Sequence, residues 1–206
     1  YQDDLAVTHE NIAANMGDSG RRERAIAEYR AALALRERLA ADHPASLDYQ
    51  ARLARSHVEL ALNLVEGREY ASAEAEARAA GAALERAAAH HSEAAEFRRL
   101  RAEAARCLGD VHALTGRSGP AEASFAAALD FLKDAGGPGA PAEARLDRAR
   151  DLLHRGSARA AVGRADAEGD LAESLAGSQA LLAEEPEVSR FRIVAAAARA
   201  ELAEVA

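Results

Sequence analysis

The feature that most constrains this chain is a repeat of about 48 residues. Tyr1, Tyr49 and Phe97 stand at that interval, each opening a stretch rich in helix formers, and Phe191 opens another near twice the interval further on. A true period must carry every structural role with it. Ala25, Ala73 and Ala121 follow the same interval, as do Tyr29, Ala77 and Phe125, and Ala32, Ala80 and Ala128. Leu60 and Leu108 correspond to Ile12, and Gly116 to Gly20, while Gly67 lies one residue off that register. Six of the eight aromatic residues fall on just two repeat positions, too many for chance in an alanine-rich background. Self-similarity on this scale specifies a solenoid, in which each repeat buries its apolar face only against its neighbours.

Each repeat reads as two helices. Tyr49, Leu53, Leu60 and Leu64 recur at helical spacing and predict a first helix running to about Val65. Gly67 breaks it, and Tyr70, Ala73, Ala77, Ala80 and Leu84 supply the stripe of a second helix reaching His90 and His91. Asp42-His43-Pro44 closes the second helix of the first repeat, because proline neither donates nor fits in a helix interior. Pro120 suits the first turn of a helix, where its missing N–H costs nothing. The repeats therefore run over about 1–48, 49–96, 97–145 and 146–190, with the first helix of a fifth at 191–206, as one array. In the fourth, Gly156 and Gly163 keep the spacing of Gly109 and Gly116, but the helix that follows has no aromatic. The run Gly136-Gly137-Pro138-Gly139-Ala140-Pro141 predicts a flexible connection over 134–143, the expected place for a bend or a proteolytic cut. The chain lacks an initiating Met, opens inside one repeat and stops inside another, so it is expected to be an excerpt of a longer array or larger protein.

Composition alone points elsewhere. Hydrophobic residues make up 49% of the chain, but more than half of these are Ala, and the net charge is −8. Few large apolar side chains with a high charge lean toward disorder. The periodicity overrules this, since Ala and Arg favour helix and small residues at repeated positions let helices approach closely. The acidic balance argues against nucleic acid, whose phosphates need a clustered basic surface. The longest purely apolar stretch, 193–198, is far short of the ~20 residues that span a bilayer. The single Cys107 excludes an intrachain disulfide and fits a cytoplasmic setting.

Leu108-Gly109, Gly116-Arg117, Ala121, Phe125 and Ala128 together resemble the signature of tetratricopeptide repeats. Asn11-Ile12-Ala13, Gly20-Arg21, Ala25, Tyr29 and Ala32 are similar. The usual period is about 34 residues, so both helices here are expected to be longer by a turn or two. The lengthened repeat, with the tail Ala34 to Ala40, resembles the long repeats that trail the catalytic domain of many bacterial serine/threonine protein kinases, and those of kinesin light chains. The resemblance implies an all-α, right-handed α-solenoid of stacked antiparallel helix pairs, its first helices lining a concave groove. It implies a scaffold for a protein or peptide ligand or for another domain of the same polypeptide. The alternative reading is the regulatory or substrate-recruiting arm of a bacterial kinase.

Projected onto this sequence, the groove positions are Glu10 and Asn11 in the first repeat, Arg55 and Glu59 in the second, Glu103, Arg106 and Asp110 in the third, and Arg150, His154 and Ser157 in the fourth. Such a groove carries both charges. Glu10 occupies a place where members that clamp a C-terminal carboxylate need Lys. Most charged positions chosen this way read as solvated helix face, and Arg55 with Glu59, or Arg106 with Asp110, have the spacing of ordinary helix-supporting pairs. His9 and His57 are repeat-equivalent, as are His43 and His91, but neither pair has the third ligand that zinc requires. No phosphate cradle, nucleophile elbow or metalloprotease motif is present. Neither catalysis nor a cofactor is expected, and Cys107 reads as a small core residue.

Overall fold

The computed structural model describes residues 1–18, 21–91, 95–137 and 139–205. They form nine α-helices: α1 Gln2–Asp18, α2 Arg22–Asp42, α3 Leu47–Glu66, α4 Tyr70–His91, α5 Ala95–Leu114, α6 Ser118–Phe131, α7 Ala142–Ala160, α8 Ala167–Glu184 and α9 Ser189–Val205. Among the described residues there is no strand, and one short 3-10 helix, Lys133–Gly136, lies in the region expected to be a flexible connection. Gly20 and Pro138, two of the residues expected to interrupt helices, lie outside the described residues. The all-α reading holds. The helix boundaries fall where Gly67, Pro44 and the tyrosine positions place them.

The chain divides into two compact units, Tyr1–Val111 and His112–Ala206. The division falls within α5, ahead of the Gly/Pro stretch. In the first unit α1 packs on α2, α2 on α3 and α3 on α4; in the second, α6 packs on α7, α7 on α8 and α8 on α9, with α9 also reaching α7. Short connections between long packed helices require antiparallel neighbours. The side chains agree: Asp3 near the start of α1 meets Arg36 far along α2, while His9 in mid-α1 meets Glu28 near the start of α2. Each unit is thus a TPR-like stack of antiparallel helix pairs.

The first helices end alike. The N–H groups of Arg21, Glu69, Arg117 and Arg164 donate to the carbonyls of Met16, Leu64, His112 and Arg159, each five residues back, at 2.8–3.0 Å. This bond closes a Schellman cap, which needs a left-handed residue just before the donor. Gly116 and Gly163 supply it with φ of +73° and +69°. In the second repeat the glycine is displaced to 67, and the left-handed position falls on Arg68, with φ +62°. The off-register glycine is therefore no shift of the cap.

The core is built on small residues at fixed positions. Ala6, Ala54, Ala102 and Ala149 on the first helices are buried, and so are Ala25, Ala73, Ala121 and Ala167 on the second. Tyr29, Ala77 and Phe125 occupy the next repeat position inward, and Phe125 is fully buried against Ala121 and Ala158. The fourth repeat keeps the pattern after a slip: Ala167 and Leu171 stand 46 residues beyond Ala121 and Phe125, and Leu171 fills the aromatic's place with complete burial. A Cβ on Gly156 would come within 2.8 Å of Leu171 and 3.3 Å of the Ala167 carbonyl, so α7 and α8 are set by the absence of a side chain there.

Two substitutions test this account. Arg68→Gly removes the left-handed strain from an exposed residue and is expected to raise the stability of the first unit by about 0.5–1 kcal/mol in denaturant unfolding. Gly156→Ala forces Leu171 out of its place and is expected to cost the second unit about 1–3 kcal/mol.

Candidate functional site

The first helices α1, α3 and α5 of the first unit bring four of the expected groove residues together. Burial lifts the Glu59 carboxyl above its ordinary value of 4.5; the neighbouring carboxylates of Glu103 and Glu10 lift it further, and Arg55 opposes them. Glu10, Arg55, Glu59 and Glu103 therefore share one field, although they span positions 10–103 of the sequence. Among the described residues neither Glu59 nor Glu103 has a side-chain hydrogen bond or an ion pair within contact distance. A carboxyl raised in this way by burial and nearby like charges favours its protonated form or an incoming cation.

Glu10 belongs to the framework of this face as much as to its surface. Its Oε1 accepts from Ser56 Oγ at 2.6 Å, and its Oε2 lies 3.4 Å from Arg36 Nη2. Arg36 is 2% exposed and also binds Asp3, whose other oxygen accepts from Arg52 Nη1 at 3.3 Å. Burial and the nearby Arg52 pull the Arg36 guanidinium down from its ordinary value. Charge in the interior persists only when paired, and the α1 carboxylates supply the pairing. Asp3, Arg36 and Arg52 were not among the expected site residues. A signal for Arg36 exists in the repeat, because its equivalents are Leu84 and Leu132, both buried. A charged residue at an apolar repeat position calls for partners.

The remaining candidates fall in different surroundings. Asn11 and Arg55 are exposed, and Asp110 is half-buried. Arg106 is 8% exposed and belongs to the interior of the stack more than to an open wall. Cys107 is buried, and its thiol is pushed up to about 12 by burial and by Asp110 and Glu103, against the pull of Arg106, so at neutral pH it is an inert core group. In the second unit, Arg150 Nη1 reaches Asp147 Oδ1 at 3.4 Å, the His154 ring stands edge-on to Phe125 with centroids 5.3 Å apart, and Ser157 Oγ donates to the Leu153 carbonyl at 3.0 Å. His154 thus packs, and Ser157 bonds its own helix.

The repeated histidines take a role that spacing alone did not assign. His9 Nδ1 lies 2.6 Å from Glu28 and His57 Nδ1 2.7 Å from Glu76. Both pairs tie a first helix to its own second helix 19 residues on. The equivalence of His9 and His57 is a duplicated strut.

The described residues define an all-α, TPR-like array of helix pairs. No protein-family model matches the sequence, and no curated protein is significantly similar to it. Among solved structures, the chain is similar to a thermophilic TPR protein from Thermus thermophilus, with 21% identity, 94% of this chain and 98% of that chain covered, and a TM-score of 0.33. No helix among the described residues is long and apolar enough to cross a membrane.

The field at Glu59 has a consequence for stability. The folded protein holds this proton to higher pH than the unfolded chain, so folding takes up a proton above pH 4.5 and the first unit loses stability as pH rises through the window between the two values. Glu59→Gln is expected to remove that loss, raising the thermal midpoint at pH 7 by about 1–3 °C and leaving it unchanged well below pH 4.5, as followed by circular dichroism.

Proposed function

We propose that the chain is a non-catalytic protein-interaction scaffold whose first unit binds an extended partner segment along α1, α3 and α5, seating a basic side chain between Glu59 and Glu103. The observation that carries this reading is the half-buried Glu59 carboxyl on α3, raised by burial and by the neighbouring Glu103 on the next first helix. A lysine or arginine from a partner relieves that repulsion and gains a charge-assisted hydrogen bond in a partly desolvated setting. Arg55, exposed beside them, disfavours a run of basic residues and so selects for one cation flanked by neutral or acidic positions. Helices fixed before binding reduce the ordering cost, so several modest contacts suffice.

The test is fluorescence anisotropy with two labelled peptides of equal length, one carrying a single central Arg in a neutral sequence and the other Glu at that place. The Arg peptide is expected to bind at low salt, weaken as salt is raised, and lose at least about fivefold with the doubly substituted Glu59→Gln/Glu103→Gln protein, roughly the 1 kcal/mol of one charge-assisted contact. Equal binding of both peptides, or no loss in the double variant, overturns the assignment.

A further inference from the structure

We infer that the polar cluster of Arg36, Ser56 and Glu10 serves the groove. Arg36 and Ser56 are positioning residues that hold the Glu10 carboxylate at the wall beside Glu59, and so set the strength of the cation site proposed above, a reading on which this assignment rests. The internal repeat shows the same place built without charge. One repeat on, the equivalents of Glu10, Ala32 and Ser56 are Val58, Ala80 and Ala104. Those three pack together as a small apolar cluster, each at most 2% exposed. Arg36 departs from the pattern too, since its equivalent in α4 is the fully buried Leu84.

The three departures answer one another. Ser56 is 1% exposed and donates to Glu10 Oε1 at 2.6 Å, and Arg36 Nη2 reaches Glu10 Oε2 at 3.4 Å. An alanine at position 56 makes no such bond, nor does a leucine at position 36. Stability does not call for the exchange. Desolvation consumes most of the Coulombic gain of a buried ion pair, and well-packed apolar residues in its place are often neutral or favourable. The apolar version is already at work in the chain's own next repeat.

What the polar version adds is a carboxylate in a fixed place. Ser56 stands on α3 three positions before Glu59, and residues at that spacing are neighbours on a helix surface. Tying Glu10 to Ser56 therefore brings a negative charge from α1 to the side of α3 that carries Glu59. The charges acting on Glu59 are then Glu10 from α1, Glu103 from α5 and Arg55 on its own helix, and the two acids raise its carboxyl while Arg55 lowers it. Both oxygens of Glu10 accept from framework donors. Glu10 thus lends its charge to the site without itself seating the ligand.

The experiment uses the full 206-residue chain and two readouts. One is binding of the single-Arg peptide; the other is the titration midpoint of the Glu59 side chain by carboxyl-carbon NMR, assigned by its loss in Glu59→Gln. Glu10→Val/Arg36→Leu/Ser56→Ala installs the residues of the next repeat, and its circular dichroism and thermal midpoint are expected to hold or rise. The Glu59 midpoint is expected to fall toward 4.5. The peptide is expected to bind at least about threefold more weakly, the size of one charge acting through partly solvated protein. Glu10→Gln removes the charge and keeps an oxygen for Ser56, and is expected to move both readouts the same way. A Glu59 midpoint or a peptide affinity that both variants leave unchanged overturns the proposal while the cation site itself stands. A lowered thermal midpoint in the triple variant also overturns it, because the cluster would then be a brace of the fold. Failure of the peptide to bind the unsubstituted chain overturns the cation-binding reading, and this assignment with it.

Discussion

The close approach of paired helices over buried alanine and glycine is the constraint from which the rest of this structure follows. Ala6, Ala25, Ala54 and Ala73 are fully buried along the paired helices, and Gly156 lies under Leu171, so small residues let the backbones come close. Each buried methyl contributes little transfer free energy, about 0.8 kcal/mol per CH₂-sized group, so the gain comes from the many dispersion contacts that backbone-near packing allows. A chain so poor in large apolar side chains folds because its helices are near one another over their whole length. The same thinness explains why the few large residues, Phe125, Leu60, Leu64, Leu171 and Phe191, are so completely buried.

Thin interfaces leave room for ionic ties, and the two units use them differently. In the first, Arg36 replaces a leucine position and is answered by Asp3 and Glu10 from the helix before it. In the second, Arg155 grips Asp170 with two bonds of 2.8 and 2.7 Å, and Arg159 joins Glu122 at 3.0 Å to Asp170 at 2.9 Å. Arg155 and Arg159 stand at the repeat positions of Leu108 and His112, so the fourth repeat has exchanged apolar packing for a charge network. Buried pairs of this kind are weak evidence for added stability, because desolvation consumes much of the Coulombic gain. Their effect here is positional. Both carboxylates that pair with Arg36 come from α1, so the order in which helices stack is written into charge as well as shape.

The sequence made the helix pairs legible because their determinants are local and periodic. Glycine at the caps, proline after α2 and alanine at the crossings each act through their own backbone or a neighbour one repeat away. The slip in the fourth repeat was harder to see, since Leu171 is not aromatic and its interval is 46 in place of 48; only burial shows it to be the equivalent of Phe125. The polar residues were least legible. Glu10 and Glu59 are both glutamates on the same kind of helix, yet one is bonded to Arg36 and Ser56 and the other faces Glu103. The distinction depends on what three other helices place opposite, which no spacing within one helix encodes.

That distinction also separates an unsatisfied acidic face from a brace. The acids Glu122, Asp166 and Asp170 of the second unit are each matched to an arginine, and a matched acid has little to offer a ligand, which would have to break an existing bond to form its own. Glu59 carries the opposite sign of free energy, since its charge is opposed by burial and by two like charges. A protein bears such a cost stably only where the surrounding stack fixes the helices regardless, and the stack here does so through Leu53, Leu60 and Leu64 on the other side of α3. One helix thus holds a satisfied apolar face that sets its position and an unsatisfied acidic face that the position exposes. The first makes the second possible, because a carboxylate free to move would turn to water and lose the repulsion that an incoming cation relieves.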